Sequence, residues 1–298
     1  MKKWLISFRL HPLFLLLVVY SLFGHFLGTL ARLFAVILLH ELGHAVVAIR
    51  LGYSIDSVEL YPFGGVARLS GNNIGWKPRD EVLIAIAGPL VNLVLALAAT
   101  LLMVAGWLSG EAAKPFIGMN FTLLFFNLLP ALPLDGGRIG RAGLAMTRGF
   151  EAATEVMTRM SFALSAVLVT LGGVALWFGY ADAGMLILGA FLFVSAFALR
   201  KQNRYDMLRF LDFKRREAPS AQALRTLIVD EEMGVGQVAA KLIPGAYHLI
   251  YLQNRRGPRE GSLALQHPIQ ESELLQAIFD DGLWLEPIAK VLRSSHHL

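Results

Sequence analysis

The stretch Leu33-Phe34-Ala35-Val36-Ile37-Leu38-Leu39-His40-Glu41-Leu42-Gly43-His44-Ala45-Val46-Val47-Ala48-Ile49 sets three ionisable side chains in the middle of an otherwise apolar run. Positions four apart share one face of an α-helix, so the two imidazoles line up with Glu41 beside them. A helix at the surface of a soluble protein is apolar along one stripe only, whereas this one is apolar nearly all round. Comparable runs lie at about 13–30, 31–51, 82–108, 115–134, 161–180 and 184–200, each near the ~20 residues that cross a hydrocarbon core. The whole chain of 298 residues is 55% hydrophobic and 16% charged, with a mean hydropathy of +0.56. That excludes an ordinary soluble protein and predicts an α-helical polytopic membrane protein with six transmembrane helices. The first run follows Lys2, Lys3 and Arg9, but no small-residue cleavage site follows it, so it reads as a retained helix.

The charges orient this bundle. With the N-terminus inside, the inner segments carry Lys2, Lys3, Arg9, Arg68, Lys77, Arg79, Arg138, Arg141, Arg148 and Arg159, then the dense run from Lys201 to Arg216. Outer loops hold little beyond Arg32 and Lys114. Basic residues favour the cytoplasmic side of short loops, so both termini are expected in the cytoplasm. The net charge of +5 is thereby used up on topology, and direct nucleic-acid binding is not expected.

Placing His40, Glu41 and His44 in lipid has a cost of about 2.5–3.5 kcal/mol per charged residue on insertion scales. A metal ion would offset it. The H-E-x-x-H spacing lets both imidazoles bind one zinc while Glu41 takes a proton from water at the metal. Cysteine is absent, so a third ligand must be His, Asp or Glu. The run Asn127-Leu-Leu-Pro130-Ala-Leu-Pro133-Leu-Asp135-Gly136-Gly137 offers Asp135 at the inner end of the fourth span, at a depth reachable from His44 if the second and fourth spans pack together. The alternative for Asp135 is a helix-ending Asp-Gly turn.

These residues carry a resemblance. His40 to His44, Pro62-Phe63-Gly64-Gly65, Ala87-Gly88-Pro89-Leu90 with Asn92, and Asn127 to Gly137 are similar, in order and spacing, to the site-2 protease family of intramembrane zinc metalloproteases, in its sporulation branch. The resemblance implies a three-helix core made of the second, third and fourth spans. It implies zinc held by His40, His44 and Asp135, with Glu41 as catalytic base. Asn127 and Pro133 are then expected to position substrate. The partly alternating stretch 54–69, with its Pro62-Phe63-Gly64-Gly65 turn, reads as a hairpin that dips into the membrane and brings Phe63 and Gly64 to the substrate, the alternative being an ordinary cytoplasmic hairpin. For Asn127 the alternative is interhelical hydrogen bonding. The implied substrate is a membrane-tethered pro-protein, a pro-sigma factor, cut in the mother-cell-derived membrane around a forespore under the control of inhibitory membrane proteins.

Past a basic linker at 201–217, residues 218–298 read as a small cytoplasmic α/β domain, with helices at 235–242 and 271–279 and strands at 247–253 and 261–265. Its order resembles a single cystathionine-β-synthase (CBS) domain, which implies pairing between chains in a homo-oligomer and ATP in the paired cleft. Residues 1–200 would form the membrane metalloprotease domain. The competing class is a membrane metal transporter or zinc-binding regulator without proteolysis; it would spread its binding groups along a path and would not need Glu41. A silent homologue that only binds clients is the third reading.

Overall fold

The computed structural model describes residues 7–10, 27–61, 64–69, 76–180, 183–216, 223–253 and 268–291. The chain divides into two compact units, Met1–Gly75 with Arg79–Gly140, and Trp76–Pro78 with Arg141–Leu298.

In the first unit, α1 (Leu27–Arg50) carries the two histidines. It ends where Gly52 turns to φ +90°, a conformation that suits glycine. The amides of Gly52 and Tyr53 then reach back to the carbonyls of Ile49 and Ala48, closing the helix by satisfying its last acceptors. After it come two antiparallel strands, β2 (Ile55–Tyr61) and β3 (Gly64–Leu69), the hairpin expected at 54–69. Its turn, with Pro62 and Phe63, lies outside the described residues. A strand not foreseen, β1 (Ser7–Leu10), pairs in parallel with β2 and completes the order β1-β2-β3.

Helix α2 (Pro78–Val104) begins with proline, which fits a first helical turn, and puts Asp80 and Glu81 where the helix dipole favours negative charge. Leu83, Ile86, Leu90, Val94, Leu97 and Leu101 recur every three or four residues, and all are exposed. Buried on this helix are Glu81, Ile84 and Asn92 with the small Ala85, Ala87, Ala96 and Ala99. The large apolar stripe faces outward, and the inward side is made mostly of small residues with Ile84 and the polar Glu81 and Asn92, the arrangement for a helix packed on its neighbours in lipid. Gly43 on α1 meets α2 so closely that a Cβ there would lie 2.8 Å from Val91 Cγ2 and 2.9 Å from the Ala87 carbonyl oxygen. Close helix approach over small residues is how membrane helices gain contact without a hydrophobic driving force.

Gly106 turns the chain at φ +76° into α3 (Gly110–Asn127), which the Ser109 hydroxyl caps by accepting from the Ala112 amide. The fourth span was expected to run to residue 134. Instead the helix stops at Asn127, and 128–134 form a tight connector. Asp135 is therefore not the end of a span but the first residue of α4 (Asp135–Arg148). Proline at 130 and 133 denies the backbone two donors, which breaks the helix.

In the second unit, α5 (Phe150–Trp177) and α6 (Gly184–Arg216) run antiparallel. Gly172 abuts Leu186, Gly189 abuts Val169, and Ser165 Oγ donates to the Gly189 carbonyl at 2.7 Å. The basic segment from Lys201 was expected as a linker, yet it continues α6 to Arg216. A three-stranded sheet follows, ordered β4 (Ala223–Asp230), β5 (Ala246–Gln253), β6 (Ile269–Gln270), with β4 parallel and β6 antiparallel to β5. It is joined by α7 (Val235–Ala239) and α8 (Glu271–Phe279). The helices and β5 match expectation, β4 was not anticipated, and the strand expected at 261–265 lies outside the described residues. The sheet does not fold around a core of its own. Phe150, Met207, Phe210 and Leu211 from α5 and α6 share one apolar cluster with Val229, Ile250 and Leu274.

Four helices among the described residues are long and apolar enough to cross a membrane: Leu27–Arg50, Pro78–Val104, Phe150–Trp177 and Gly184–Asn203. The run expected at 13–30 falls mostly outside the described residues. Helix α3 has 18 residues, with Glu111 and Lys114 near its start. It is not among the four.

Candidate metal centre

Helix α1 presents His40 and His44 on its buried side while Leu39, Leu42 and Val46 lie exposed. Across from them stands Asp135, held there by the folding of its connector. The carbonyl of Leu134 accepts from the Arg138 amide and that of Ala131 accepts from Leu134, so the chain doubles back as α4 starts. This requires the two glycines after Asp135. A Cβ on Gly136 would run into the backbone of Leu128 and Leu129, and one on Gly137 into that of Ala131.

Three atoms meet in the resulting space. His40 Nε2 and His44 Nε2 are 3.1 Å apart, and each is 3.2 Å from Asp135 Oδ2. All three side chains are buried. His44 Nδ1 lies 2.6 Å from the Ile84 carbonyl oxygen, which can only accept, so the proton of that ring is on Nδ1. His40 Nδ1 donates to Asn92 Oδ1 at 2.5 Å. With both protons directed outward, a neutral ring keeps its lone pair on Nε2. Asp135 Oδ2 is buried and accepts no hydrogen bond. Lone pairs from three atoms thus converge on one point, and a cation there satisfies all of them. The spacing suits four-coordinate zinc, whose bonds to imidazole nitrogen and carboxylate oxygen are about 2.0–2.1 Å.

Around the triangle the fold adds further groups. Gly88 presses its backbone against the rings, and a Cβ on it would come within 2.5 Å of His44 Cε1 and 2.7 Å of His40 Cε1. The other oxygen of Asp135 takes a long contact, 3.5 Å, from Arg138 Nη1. Arg138 Nε lies 4.0 Å from Glu81 Oε1, so a guanidinium sits between two buried carboxylates. Glu41 is half-buried, and its carboxylate is within electrostatic reach of His44, His40 and Asp135.

The structure brings together His40, His44 and Asp135, as the sequence suggested. Asn127 turns back on its own helix, with Nδ2 donating to the Leu123 carbonyl at 3.1 Å. Pro133 is exposed in the connector just before Asp135. Gly64 opens β3 opposite Tyr61, and Phe63 lies outside the described residues. Asn120 and Glu81 carry no expectation from the sequence, Asn92 enters it only through the resemblance, and Arg138 only through its charge. A uniform signal existed for the two asparagines, since an amide inside an apolar helix is costly unless it is paired.

Comparison with known proteins agrees with this chemistry. The model of peptidase family M50 matches residues 28–115 and 109–169. Stage IV sporulation protein FB of Bacillus subtilis is 30% identical over 289 residues, covering 94% of this chain and 95% of that one. A zinc metalloprotease of Methanocaldococcus jannaschii is 35% identical over 146 residues, covering 47% of this chain and 41% of its own. The solved structure of the site-2 protease from Methanocaldococcus jannaschii superposes with a TM-score of 0.51 at 27% identity, over 66% of this chain and 91% of that one. With likeness along nearly the full length of one relative and a matching fold, this multi-pass membrane protein belongs to peptidase family M50, the site-2 proteases, and is an intramembrane zinc metalloprotease.

Proposed function

We propose that His40, His44 and Asp135 hold the catalytic zinc, that Glu41 is the base, and that the chain cuts a membrane-tethered pro-protein, a pro-sigma factor, during sporulation. The observation that carries the site is the fixing of both Nδ1 protons away from the triangle, which leaves three lone pairs facing inward. The sporulation reading is supported by the stage IV sporulation protein from Bacillus subtilis, of which the chain spans 95%.

Zinc, when bound, supplies Lewis acidity toward the scissile carbonyl and acidifies water beside it. Glu41 then accepts the water's proton and passes it to the leaving amine nitrogen, the role of a general base turned general acid. Asp135 stays ionised beside Arg138 and keeps its acceptor oxygen directed at the histidines. No side chain becomes covalently linked to substrate. Substrate must leave its helix to reach the site. In the described sheet β3 is an edge strand, and it packs on α1, the helix that carries the histidines. An unwound segment adds to that edge through backbone hydrogen bonds, with Phe63, Gly64, Asn127 and Pro133 positioning it.

The rest of the reading follows the charge distribution and the resemblance: six spans in residues 1–200, both termini cytoplasmic, and residence in the mother-cell-derived membrane around the forespore under inhibitory membrane proteins. Exposed Trp107 and Trp177, with Phe178 and Tyr180, close the outward-running α2 and α5. Aromatic residues favour both membrane interfaces, which supports placing these helix ends at a membrane surface. Beyond a segment at 201–217, residues 218–298 act as a CBS-like unit that pairs between chains and takes ATP. Co-expression with a pro-sigma factor tethered by its pro-sequence tests the function. A shortened product is expected with the parent chain and none with Glu41→Gln; full-length substrate in both cases would overturn the assignment.

A further inference from the structure

We propose that Asn120 is a positioning residue that sets the tautomer of His40 through Asn92, and thereby keeps the His40 lone pair aimed at the metal. This rests on the reading of the His40, His44 and Asp135 triangle as the zinc site.

A neutral imidazole carries one ring proton, and only the Nδ1–H form leaves Nε2 free to bind a metal. The two histidines are held to that form by different means. For His44 the partner is the backbone carbonyl of Ile84, which accepts and cannot donate. For His40 it is the side-chain amide of Asn92. An amide turned by 180° would offer its NH2 instead of its oxygen, and a donor facing Nδ1 favours the opposite tautomer. His40 is therefore a ligand only while Asn92 faces one way.

The direction of Asn92 is fixed by its other end, where Nδ2 donates to Asn120 Oδ1 at 3.1 Å. Asn120 has the same two-fold ambiguity, and a backbone group resolves it. Its Nδ2 donates at 2.9 Å to the carbonyl of Phe116, one turn back on α3, and that carbonyl can only accept. Direction is thus passed from a peptide group to Asn120, from Asn120 to Asn92, and from Asn92 to His40, with each link using one donor and one acceptor. Both amides are fully buried, at 0% exposure, so water does not substitute for a missing link. The chain of bonds joins α3, α2 and α1, and at buried sites an unpaired amide is strongly disfavoured.

Zinc affinity of the full-length purified protein, measured by competition with a chelator, tests this without reference to cleavage. Loss of a partner that orients a metal-bound histidine weakens binding by roughly 10–100-fold, and Asn120→Leu is expected to weaken it about tenfold. Because Asn120 acts through Asn92, adding Asn120→Leu to Asn92→Leu should bring no further loss. The smaller Asn120→Ala should repeat the pattern if leucine packs poorly. In the Co2+-loaded protein, the visible absorption of Asn120→Leu should change as it does in Asn92→Leu. Equal losses in both backgrounds would show that Asn120 acts by packing, and an unchanged affinity in the parent background would show that it does not act; either result overturns the relay alone. A parent protein that binds no zinc overturns the reading of the triangle as well.

Discussion

His40 and His44 stand edge to face, with ring planes at 86° and Nε2 atoms 3.1 Å apart. One helical turn separates them in sequence, and neither nitrogen can satisfy the other while both Nδ1 atoms hold the protons. The pair is arranged for a third body.

Replacing Glu41 with Gln leaves all three converging atoms in place and removes only the proton acceptor. Bound zinc should stay near one per chain, while the cleavage rate falls by at least ~100-fold, the lower range of what general base catalysis contributes. Zinc content and product are to be measured on the same preparation. Appreciable proteolysis by this variant would move the base elsewhere.

Gly88→Ala tests how closely the metal centre is fitted. Its methyl would occupy the space of the His44 and His40 ring edges, forcing the imidazoles apart. Zinc retention during dialysis should drop by about an order of magnitude, as it does when the orientation of metal ligands is disturbed. Gly118→Ala on α3, where nothing lies within 4 Å of the added carbon, should retain zinc like the parent. Equal retention in both variants would contradict the geometry.

Topology is open to labelling because the chain has no native cysteine. A cysteine at Ala112 should react with an impermeant maleimide added outside intact cells, and one at Thr226 should react only after lysis. The opposite pattern would place the zinc site on the other face of the membrane.

A buried charge network holds the C-terminal sheet to α6. Lys214 Nζ lies 2.8 Å from Glu271 Oε1 and donates to the Ala246 carbonyl at 2.7 Å. Glu271 Oε2 takes the His248 amide at 3.0 Å and is 2.7 Å from His248 Nδ1. Removing one member of a buried ion pair strands the other, at a cost of about 3–5 kcal/mol. Glu271→Ala should therefore expose the sheet to limited proteolysis at temperatures where the parent resists, whereas Arg159→Ala, which breaks an exposed pair with Glu155, should not.

The ligand triangle was legible in the sequence because its logic is local and chemical: two histidines at helical spacing, no thiols, and one carboxylate followed by two glycines. What escaped was what depends on partners. Asn120 looked like any amide in an apolar helix until Asn92 was seen opposite it. The fourth span was drawn too long because apolar residues continue to Leu134, while the prolines that stop the helix and the glycines that let α4 begin act through backbone fit. The charge of Lys201 to Arg216 suggests a linker, yet the segment contains no glycine or proline and places Met207, Phe210 and Leu211 at helical spacing. Strand β4 is exposed along most of its length and carries no alternation of buried and exposed positions, so its pairing with β5 is what defines it.

Helix α6 has 33 residues, a rod of about 50 Å at 1.5 Å per residue, of which a bilayer's hydrocarbon takes roughly 30 Å. The remainder projects beyond the lipid, and its apolar side is part of the same packed core as the sheet. The sheet is thus mounted on a stiff lever, not hung from a tether. Tilting or twisting the sheet turns the helix with it, so motion at the sheet reaches the bilayer as torque.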